Sequence, residues 1–218
     1  MGVRERRERE RTETREKILE AARSLFIEEG FDGVSMRKIA DRIEYSPTAI
    51  YMHFADKEEL FREICHEDFR KLAHSMAGLA QVSDPVERLR RLSSAYSKFG
   101  LENPNHYRTM FMTPHPATLT SEEEMKEKGN PEEDAYELLR ATVQEAFRAG
   151  AFRDYLTNVD LIAQTLWAGV HGVVSLQLAK CNEGWVPWCD IQQRAQTMTD
   201  GLFQGLLNRS ELNPKDKA

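Results

Sequence analysis

Residues 46–60 read SPTAIYMHFADKEEL, and this short stretch decides how the N-terminal part of the chain folds. Ser46 is a good N-cap, because its hydroxyl can accept a hydrogen bond from an otherwise unsatisfied backbone N–H of the first helical turn. Pro47 follows at the first helical position, where its missing N–H is not needed. The order of these residues predicts a very short helix, from about residue 47 to about residue 54.

The two faces of this short helix differ in chemistry. Ile50 and Phe54 lie four residues apart and share one face, which must pack inward. Thr48 and Met52 point the opposite way, and Ala49 flanks them. These three side chains are small or slender enough to meet the edges of DNA bases. Such an arrangement is unusual for a helix buried in a core, but it is expected of a helix that presents one face to DNA.

The residues around this face suit the DNA backbone. Tyr51 and His53 can donate hydrogen bonds to phosphates on either side of the base-contacting positions. Asp56 caps the next helix, and Lys57 stands in its first turn, where the backbone N–H groups also favour an anion. The segment therefore combines base-reading and phosphate-holding side chains.

A second short helical segment, MRKIADRI, precedes this one. Ser35 is its N-cap candidate, and Ile39, Ala40 and Ile43 form its inward face. Two short helices of which the second shows a polar face are typical of a helix-turn-helix, here residues 35–54. In that motif the second helix enters the major groove and the first crosses the DNA backbone.

The composition is that of a soluble globular protein, with 40% apolar and 30% charged residues among 218. The net charge of −6 argues against non-specific coating of nucleic acid, but it leaves room for a local basic surface. The three cysteines lack metal-ligand spacing, and no apolar run follows the charged N-terminus, so we expect a reduced, cytoplasmic protein. The longest apolar stretch, residues 159–179, is interrupted by polar residues and predicts a buried helix rather than a membrane span.

From residue 14 to residue 60 the chain reads TREKILEAARSLFIEEGFDGVSMRKIADRIEYSPTAIYMHFADKEEL, which resembles the N-terminal domain of the TetR family of transcriptional regulators. The resemblance covers roughly residues 12–72 and includes the signature Tyr51-x-His53-Phe54. It implies a homodimer on a palindromic double-stranded operator. The DNA contacts that it implies are Ser35, Arg37 and Lys38 from the first helix of the motif, Ser46, Pro47, Thr48, Tyr51 and His53 from the recognition helix, and Lys57.

Glu44 departs from the family pattern. The family usually has glycine at this point of the turn, where φ is expected to be positive. A glutamate in that conformation costs about 1 kcal/mol of local strain. It also adds a negative charge near DNA, so Glu44 weakens the electrostatic attraction without removing the fold.

Helical periodicity is present almost throughout and strand signals are nearly absent, so the predicted fold is all-α. The first long helix is expected to end at Gly30, and residues 113–131, with three prolines and a glycine, predict a mobile loop. Residues 1–11 hold five arginines and three glutamates with no apolar anchor; they are expected to be disordered, either as a minor-groove arm or as a solvated tail. The predicted divisions are an arm at 1–11, the DNA-binding domain at 12–72, a helical ligand-binding and dimerisation domain at 73–210, and a flexible tail at 211–218.

The C-terminal part, by the same resemblance, binds a ligand. Its segment around Trp167, His171 and Gly172 resembles a subgroup of the family named for those three residue types. Aromatic and apolar side chains favour a small hydrophobic or aromatic molecule. They equally suit an ordinary core, with the histidine bonded to a neighbouring carbonyl. The predicted pocket residues are Phe99, Tyr107, Met110, Phe111, Phe147, Trp167 and His171.

The last two long helices carry apolar stripes too wide for one subunit to cover easily, which predicts a two-fold interface of four helices. Small residues four apart would let neighbouring helices approach closely; burial within one subunit is the alternative. The predicted interface residues are Ala168, Gly172, Ile191, Ala195, Met198, Leu202 and Gly205.

Two functions of different classes fit these observations. The first is a ligand-responsive transcriptional repressor, which is no enzyme and needs no cofactor. The second is a helical enzyme or small-molecule carrier in which the helix-turn-helix is only structural. The sequence shows no nucleophile–base order, phosphate loop or paired carboxylates to support catalysis. His66, His74 and Cys65 do not converge on one helical face, so we expect no metal site.

Overall fold

The computed structural model describes residues 2–114, 129–208 and 211, apart from the side chain of Val3. The predictions for the centre of the loop at 113–131 and for the tail beyond residue 211 lie outside the described residues. The chain divides into two compact units. The first comprises Met1–Phe69 with Asn105–Lys126, and the second comprises Arg70–Pro104 with Glu127–Ala218.

The described residues form nine α-helices and one short 3-10 helix, so the predicted all-α fold is confirmed. Their one β contact is an isolated bridge between Phe152 and Leu207. The helices are α1 (Val3–Gly33), α2 (Met36–Arg42), α3 (Pro47–Tyr51), α4 (Lys57–Ala77), the 3-10 helix Gly78–Gln81, α5 (Pro85–Glu102), α6 (Pro104–Phe111), α7 (Ala135–Arg148), α8 (Val159–Lys180) and α9 (Ile191–Leu206).

The core of the first unit is built around three aromatic rings. Phe26 of α1 meets Phe61 of α4 edge to face, with ring centroids 4.9 Å apart, and Phe31 closes the cluster at 5.2 Å from Phe61. Ile50 and Phe54 are buried against this cluster, as the spacing of the recognition segment predicts. The short helix α3 is thus held from one side only, which leaves its other face to solvent.

Helix α1 is longer than predicted, because residues 3–11 continue it instead of forming a disordered arm. Alternating charges support these turns, with ion pairs from Arg6 to Glu10 (3.4 Å) and from Arg9 to Glu13 (3.7 Å). The predicted break at Gly30 is present: φ there is 72°, and the helical geometry is interrupted. A glycine tolerates this left-handed conformation without the steric cost of a Cβ.

The first unit also includes α6, which the sequence assigns to the C-terminal domain. A buried polar cluster explains the difference. Asp68 of α4 is fully buried and accepts hydrogen bonds from Arg23 of α1 (2.8 and 3.2 Å) and from His106 Nδ1 of α6 (2.7 Å). Phe111 adds an edge-to-face contact with Phe69 at 5.5 Å. The first compact unit thus ends at Phe69, close to the predicted boundary at residue 72, and it takes in α6 from Asn105 onward.

The second unit is a helical assembly in which α8 is only partly covered. By length and composition α8 is the one helix of the described part of the chain that could cross a membrane, and 28% of its most apolar window is buried. Leu161 and Leu176 are 56% and 48% exposed. The prediction of a buried helix is therefore only partly met within a single chain.

Candidate nucleic-acid interface

Both short helices of the helix-turn-helix begin at the predicted caps. The Ser35 hydroxyl accepts a hydrogen bond from the N–H of Lys38 at 3.3 Å, and the Ser46 hydroxyl accepts one from the N–H of Ala49 at 3.2 Å. Pro47 occupies the first turn of α3. Helix α3 ends at Tyr51 rather than near residue 54, because the N–H groups of residues 53 and 54 both turn back to the Ile50 carbonyl.

The turn between these helices has the predicted left-handed residue. Glu44 has φ 59°, and it is the one residue other than glycine with positive φ among those described. Its N–H donates to the Asp41 carbonyl at 3.3 Å, and the N–H of Tyr45 donates to the Ala40 carbonyl at 2.9 Å. These bonds hold the turn in place, so the glutamate stays in a conformation that a glycine would adopt more easily.

The outer face of the recognition segment is open to solvent. Tyr51 is 54% exposed and Met52 is 76% exposed, and Ser46, Pro47 and Thr48 are exposed beside them. Large side chains left in water between two buried positions, Ile50 and Phe54, are the arrangement that a binding face requires. This face is therefore available to a DNA groove.

His53 is half-buried at the end of this face. Partial burial, followed by the positive charges of Arg11 and Arg15, lowers the pKa of His53 below its ordinary value. The imidazole is therefore neutral at pH 7 in the protein alone. It can donate one hydrogen bond to a phosphate as it stands, and it gains a charge-assisted bond once protonated.

Two predicted phosphate contacts have partners within the protein. The Lys38 ammonium pairs with Glu29 and donates to the Gly33 carbonyl at 2.8 Å. The Lys57 ammonium donates to the Phe31 carbonyl at 3.0 Å and lies 4.3 Å from the Phe31 ring centre. Either lysine must leave these partners to reach DNA. Arg37, whose side chain is 84% exposed, has only a loose contact of 3.9 Å with Asp41.

Arg15 also belongs to this region, although the sequence alone does not single it out. Its guanidinium pairs with Glu63 and Glu67 of α4 and lies 5.4 Å from the ring centre of Phe54. The four-residue spacing of the two glutamates places them on one helical face, and this is the only sequence signal. Which cation they meet depends on how α1 and α4 pack.

The predicted pocket residues are divided between the two units. In the first unit Tyr107 and Met110 are buried, and Phe111 is half-buried with its ring 4.9 Å from that of Tyr107. In the second unit Phe99 is buried and Phe147 is half-buried. These side chains have the burial of ordinary core residues, so their role in ligand binding stays a prediction.

Trp167 and His171 are joined by a third residue that the sequence does not reveal. The Tyr96 hydroxyl accepts a hydrogen bond from Trp167 Nε1 at 3.2 Å and lies 3.0 Å from His171 Nδ1. The direction of this second bond is set by the tautomer of the imidazole: the hydroxyl donates its single proton when Nδ1 carries none. Burial lowers the pKa of His171, which agrees with a neutral imidazole accepting at Nδ1.

Close helix packing in the second unit occurs at a glycine that was not predicted. A Cβ on Gly169 of α8 would lie 2.5 Å from Leu202 and 2.7 Å from Met198 of α9, whereas nothing lies within 4 Å of a Cβ on Gly172 or Gly205. Leu202 and Met198 are thus partly used inside the subunit. The other interface candidates are exposed or half-buried: Ala168, Gly172, Ile191, Ala195 and Gly205.

No three potential metal ligands of the described residues come together. Cys65 is buried in the core of the first unit, and His74 lies 3.4 Å from Glu133.

Two capped short helices, a left-handed turn and an exposed recognition face define a helix-turn-helix DNA-binding protein with a second, helical unit. The chain belongs to the TetR family of bacterial transcription regulators. The family model for bacterial regulatory proteins of the tetR family matches residues 18–64, and the model for the tetracyclin repressor-like C-terminal domain matches residues 89–202. Members of this family are DNA-binding regulators rather than enzymes, so the enzymatic alternative is wrong.

Individual relatives agree with this assignment. The HTH-type transcriptional repressor AcnR of Corynebacterium diphtheriae is 40% identical over 70 residues, which are 31% of this chain and 37% of AcnR. The alignment thus spans little more than a third of that relative. The TetR family regulator PfmR of Thermus thermophilus is 26% identical over 88% of this chain and 99% of its own, with a TM-score of 0.67. A TetR family regulator from Marinobacter aquaeolei shares the fold, with 20% identity, 93% and 100% coverage and a TM-score of 0.72.

Proposed function

We propose that the protein is a ligand-responsive repressor that binds a palindromic operator as a homodimer and leaves it when a small hydrophobic or aromatic molecule binds. The observation that carries the proposal is the recognition segment itself. Tyr51 and Met52 are exposed immediately between the buried anchors Ile50 and Phe54. A cytoplasmic location follows from this function, because the operator is in the cytoplasm of a bacterium.

Repression rather than activation is supported by simple occlusion. A dimer that covers two half-sites about 34–36 Å apart covers the DNA that a polymerase needs. AcnR, whose sequence aligns with 31% of this chain, is named a repressor.

Dimerisation is supported by the apolar surface of α8. Leu161 and Leu176 are exposed to solvent, and only a small part of this helix is buried within the chain. Covering such a surface is favourable by about 25 cal/mol for each Å² of apolar area. A second copy supplies the same surface through a two-fold axis, and it brings a second recognition helix. Met198 and Leu202 are partly covered within the subunit, because both side chains lie against Gly169.

Ligand binding in the second unit is supported by the cluster of Tyr96, Trp167 and His171. Trp167 also lies 5.8 Å from the ring of Tyr136. Aromatic walls with a few hydrogen-bonding groups and a neutral imidazole favour an uncharged, flat or lipophilic molecule. Such a molecule releases DNA only if it binds more tightly to a form of the protein that does not fit the operator.

The test begins with selection of duplexes from a random library by the purified protein. We expect a palindromic consensus, and sedimentation of the complex should give two subunits for each duplex. Thr48→Ala is the informative variant, because it should shift the preferred bases, whereas Thr199→Ala on α9 should leave them unchanged. Selection that returns no consensus would refute the operator, and one subunit for each duplex would refute the dimer.

A further inference from the structure

The N-terminal turns of α1 carry a stripe of arginines outside the helix-turn-helix. At 100° per residue, positions 4, 7, 11 and 15 fall within about 80° of one another around the helix. Further along, the same side of α1 carries Ile18 and Ala22, which are fully buried in the core of the first unit. The side of α1 that covers the core therefore continues toward the N-terminus as a row of guanidinium groups.

The inner end of this row meets the recognition segment. Arg15 pairs with Glu67 at 2.7 Å and lies over the ring of Phe54, the residue directly after His53. One helical turn further out, the charge of Arg11 acts on His53 and, after partial burial, helps to lower the pKa of that imidazole. The row is therefore continuous with the surface that carries Tyr51 and His53.

The arginines of the other side of α1 are paired with glutamates, whereas the three outer arginines of the row are not. Arg6 and Arg9 pair with Glu10 and Glu13. In the part of the chain that the structure describes, Arg4, Arg7 and Arg11 are exposed and form no ion pair. Glu8 lies at the edge of the row, and this single negative charge does not cancel the positive charge of the arginines.

We propose that Arg4, Arg7 and Arg11 bind the DNA phosphate backbone flanking each half-site, so that α1 extends the contact made by α3. From residue 4 to residue 11 the helix rises by about 10 Å, at 1.5 Å per residue. This equals about three phosphates along one strand, at 3.4 Å each. Guanidinium groups suit phosphate because two N–H groups can bind two oxygens at once. The inference rests on the proposed operator binding and adds to it a contact beyond the helix-turn-helix.

The test compares two double variants with the same loss of charge. Arg4→Gln/Arg7→Gln removes two groups of the row, and Arg6→Gln/Arg9→Gln removes two from the opposite side; glutamine keeps helix propensity near that of arginine. Binding is measured at several salt concentrations on the duplex selected by the parent protein. The same duplex shortened by three base pairs at each end is measured in parallel.

The row variant should bind the full duplex roughly tenfold or more weakly at moderate salt. Its slope of log K against log salt should fall by up to about four, for two arginines in each of two subunits. The control variant should stay within about twofold of the parent, because its arginines serve internal ion pairs. Shortening the duplex should weaken the parent and leave the row variant nearly unaffected.

Equal losses in the two double variants would show a general charge effect and overturn the proposal, and so would no loss in either. If the row variant loses helical circular dichroism, Arg4→Ala/Arg7→Ala replaces it, because alanine has the highest helix propensity; the same reduced slope supports the proposal, and a parent-like slope overturns it. A changed base preference in the flank would refute the phosphate assignment. Failure of the parent to select any duplex would instead refute operator binding itself.

Discussion

Asp68 offers the sharpest test of the packing of the first unit. Its carboxylate is fully buried and accepts hydrogen bonds from Arg23 on α1 and from His106 on α6. Burial alone would lower the pKa of Arg23, but the bonds and charge of Asp68 outweigh it, so that pKa is raised. Asp68→Ala should leave a guanidinium that is only 3% exposed without its main counter-charge.

The expected loss of stability depends on which partners Arg23 keeps in the Asp68→Ala variant. Breaking a buried ion pair by removing one partner costs about 3–5 kcal/mol. Arg23 keeps a contact with Glu20 at 2.5 Å, but that carboxylate is 60% exposed and lies in high dielectric. We therefore expect a loss near the lower end, about 3 kcal/mol in the free energy of unfolding, measured by urea denaturation with far-ultraviolet circular dichroism.

A matched control and a rescue make this prediction decisive. Asp41→Ala removes an exposed carboxylate 3.9 Å from Arg37 and should cost at most about 0.5 kcal/mol. Arg23→Met/Asp68→Met replaces the buried pair by apolar side chains and should recover most of the loss, because no charge is left buried. The reasoning fails if Asp68→Ala is as mild as the control, or if the double variant is less stable than the single one.

Three further outcomes can be measured directly. Glu44→Gly should raise the melting temperature by about 2–4 °C, because it removes about 1 kcal/mol of strain caused by the positive φ. It should also tighten DNA binding slightly. A lower melting temperature would contradict this. Operator affinity should rise as pH falls from 7 to 5.5. The reason is that a phosphate contact raises the pKa of His53 above its depressed value in the protein alone, so binding takes up a proton. His53→Gln should remove this pH dependence. Tyr51→Ala should weaken binding equally on all duplexes, whereas Thr48→Ala should change base preference by about 1–3 kcal/mol for each lost contact; unchanged binding by the Tyr51 variant would refute its role.

The local features of the DNA-binding unit could be predicted because they depend on near neighbours in sequence. A cap such as Ser46 needs only the residues three positions away, and the inward pair Ile50 and Phe54 needs only helical spacing. The positive φ of Glu44 is expected from the resemblance, because the family usually has glycine at this point of the turn. Two local details differ: α3 ends at Tyr51 rather than near residue 54, and the N-terminus is helical rather than disordered. A short charged segment can be helical when it continues a helix already nucleated by packing.

Contacts between distant segments could not be predicted. Nothing near Tyr96 in the sequence indicates that its hydroxyl joins Trp167 and His171, which lie more than 70 residues away. The close approach at Gly169 cannot be read from spacing, because which glycine meets another helix depends on how α8 and α9 cross. The assignment of α6 to the first unit depends on a hydrogen bond between positions 68 and 106.

The distribution of these pairs reconciles an acidic chain with DNA binding. In the first unit Glu28 bonds Arg42 at 2.8 Å, and Glu63 and Glu67 share Arg15, so many of the glutamates that make the net charge −6 face inward or toward a neighbouring cation. The hydrogen bond from Arg42 keeps the pKa of Glu28 low, so this pair stays ionised at neutral pH. A phosphate near the recognition face meets the local field rather than the net charge, because charges beyond a Debye length of about 8 Å are largely screened. Net charge therefore argues only against indiscriminate binding, whereas the arrangement of the ion pairs decides where a duplex can lie.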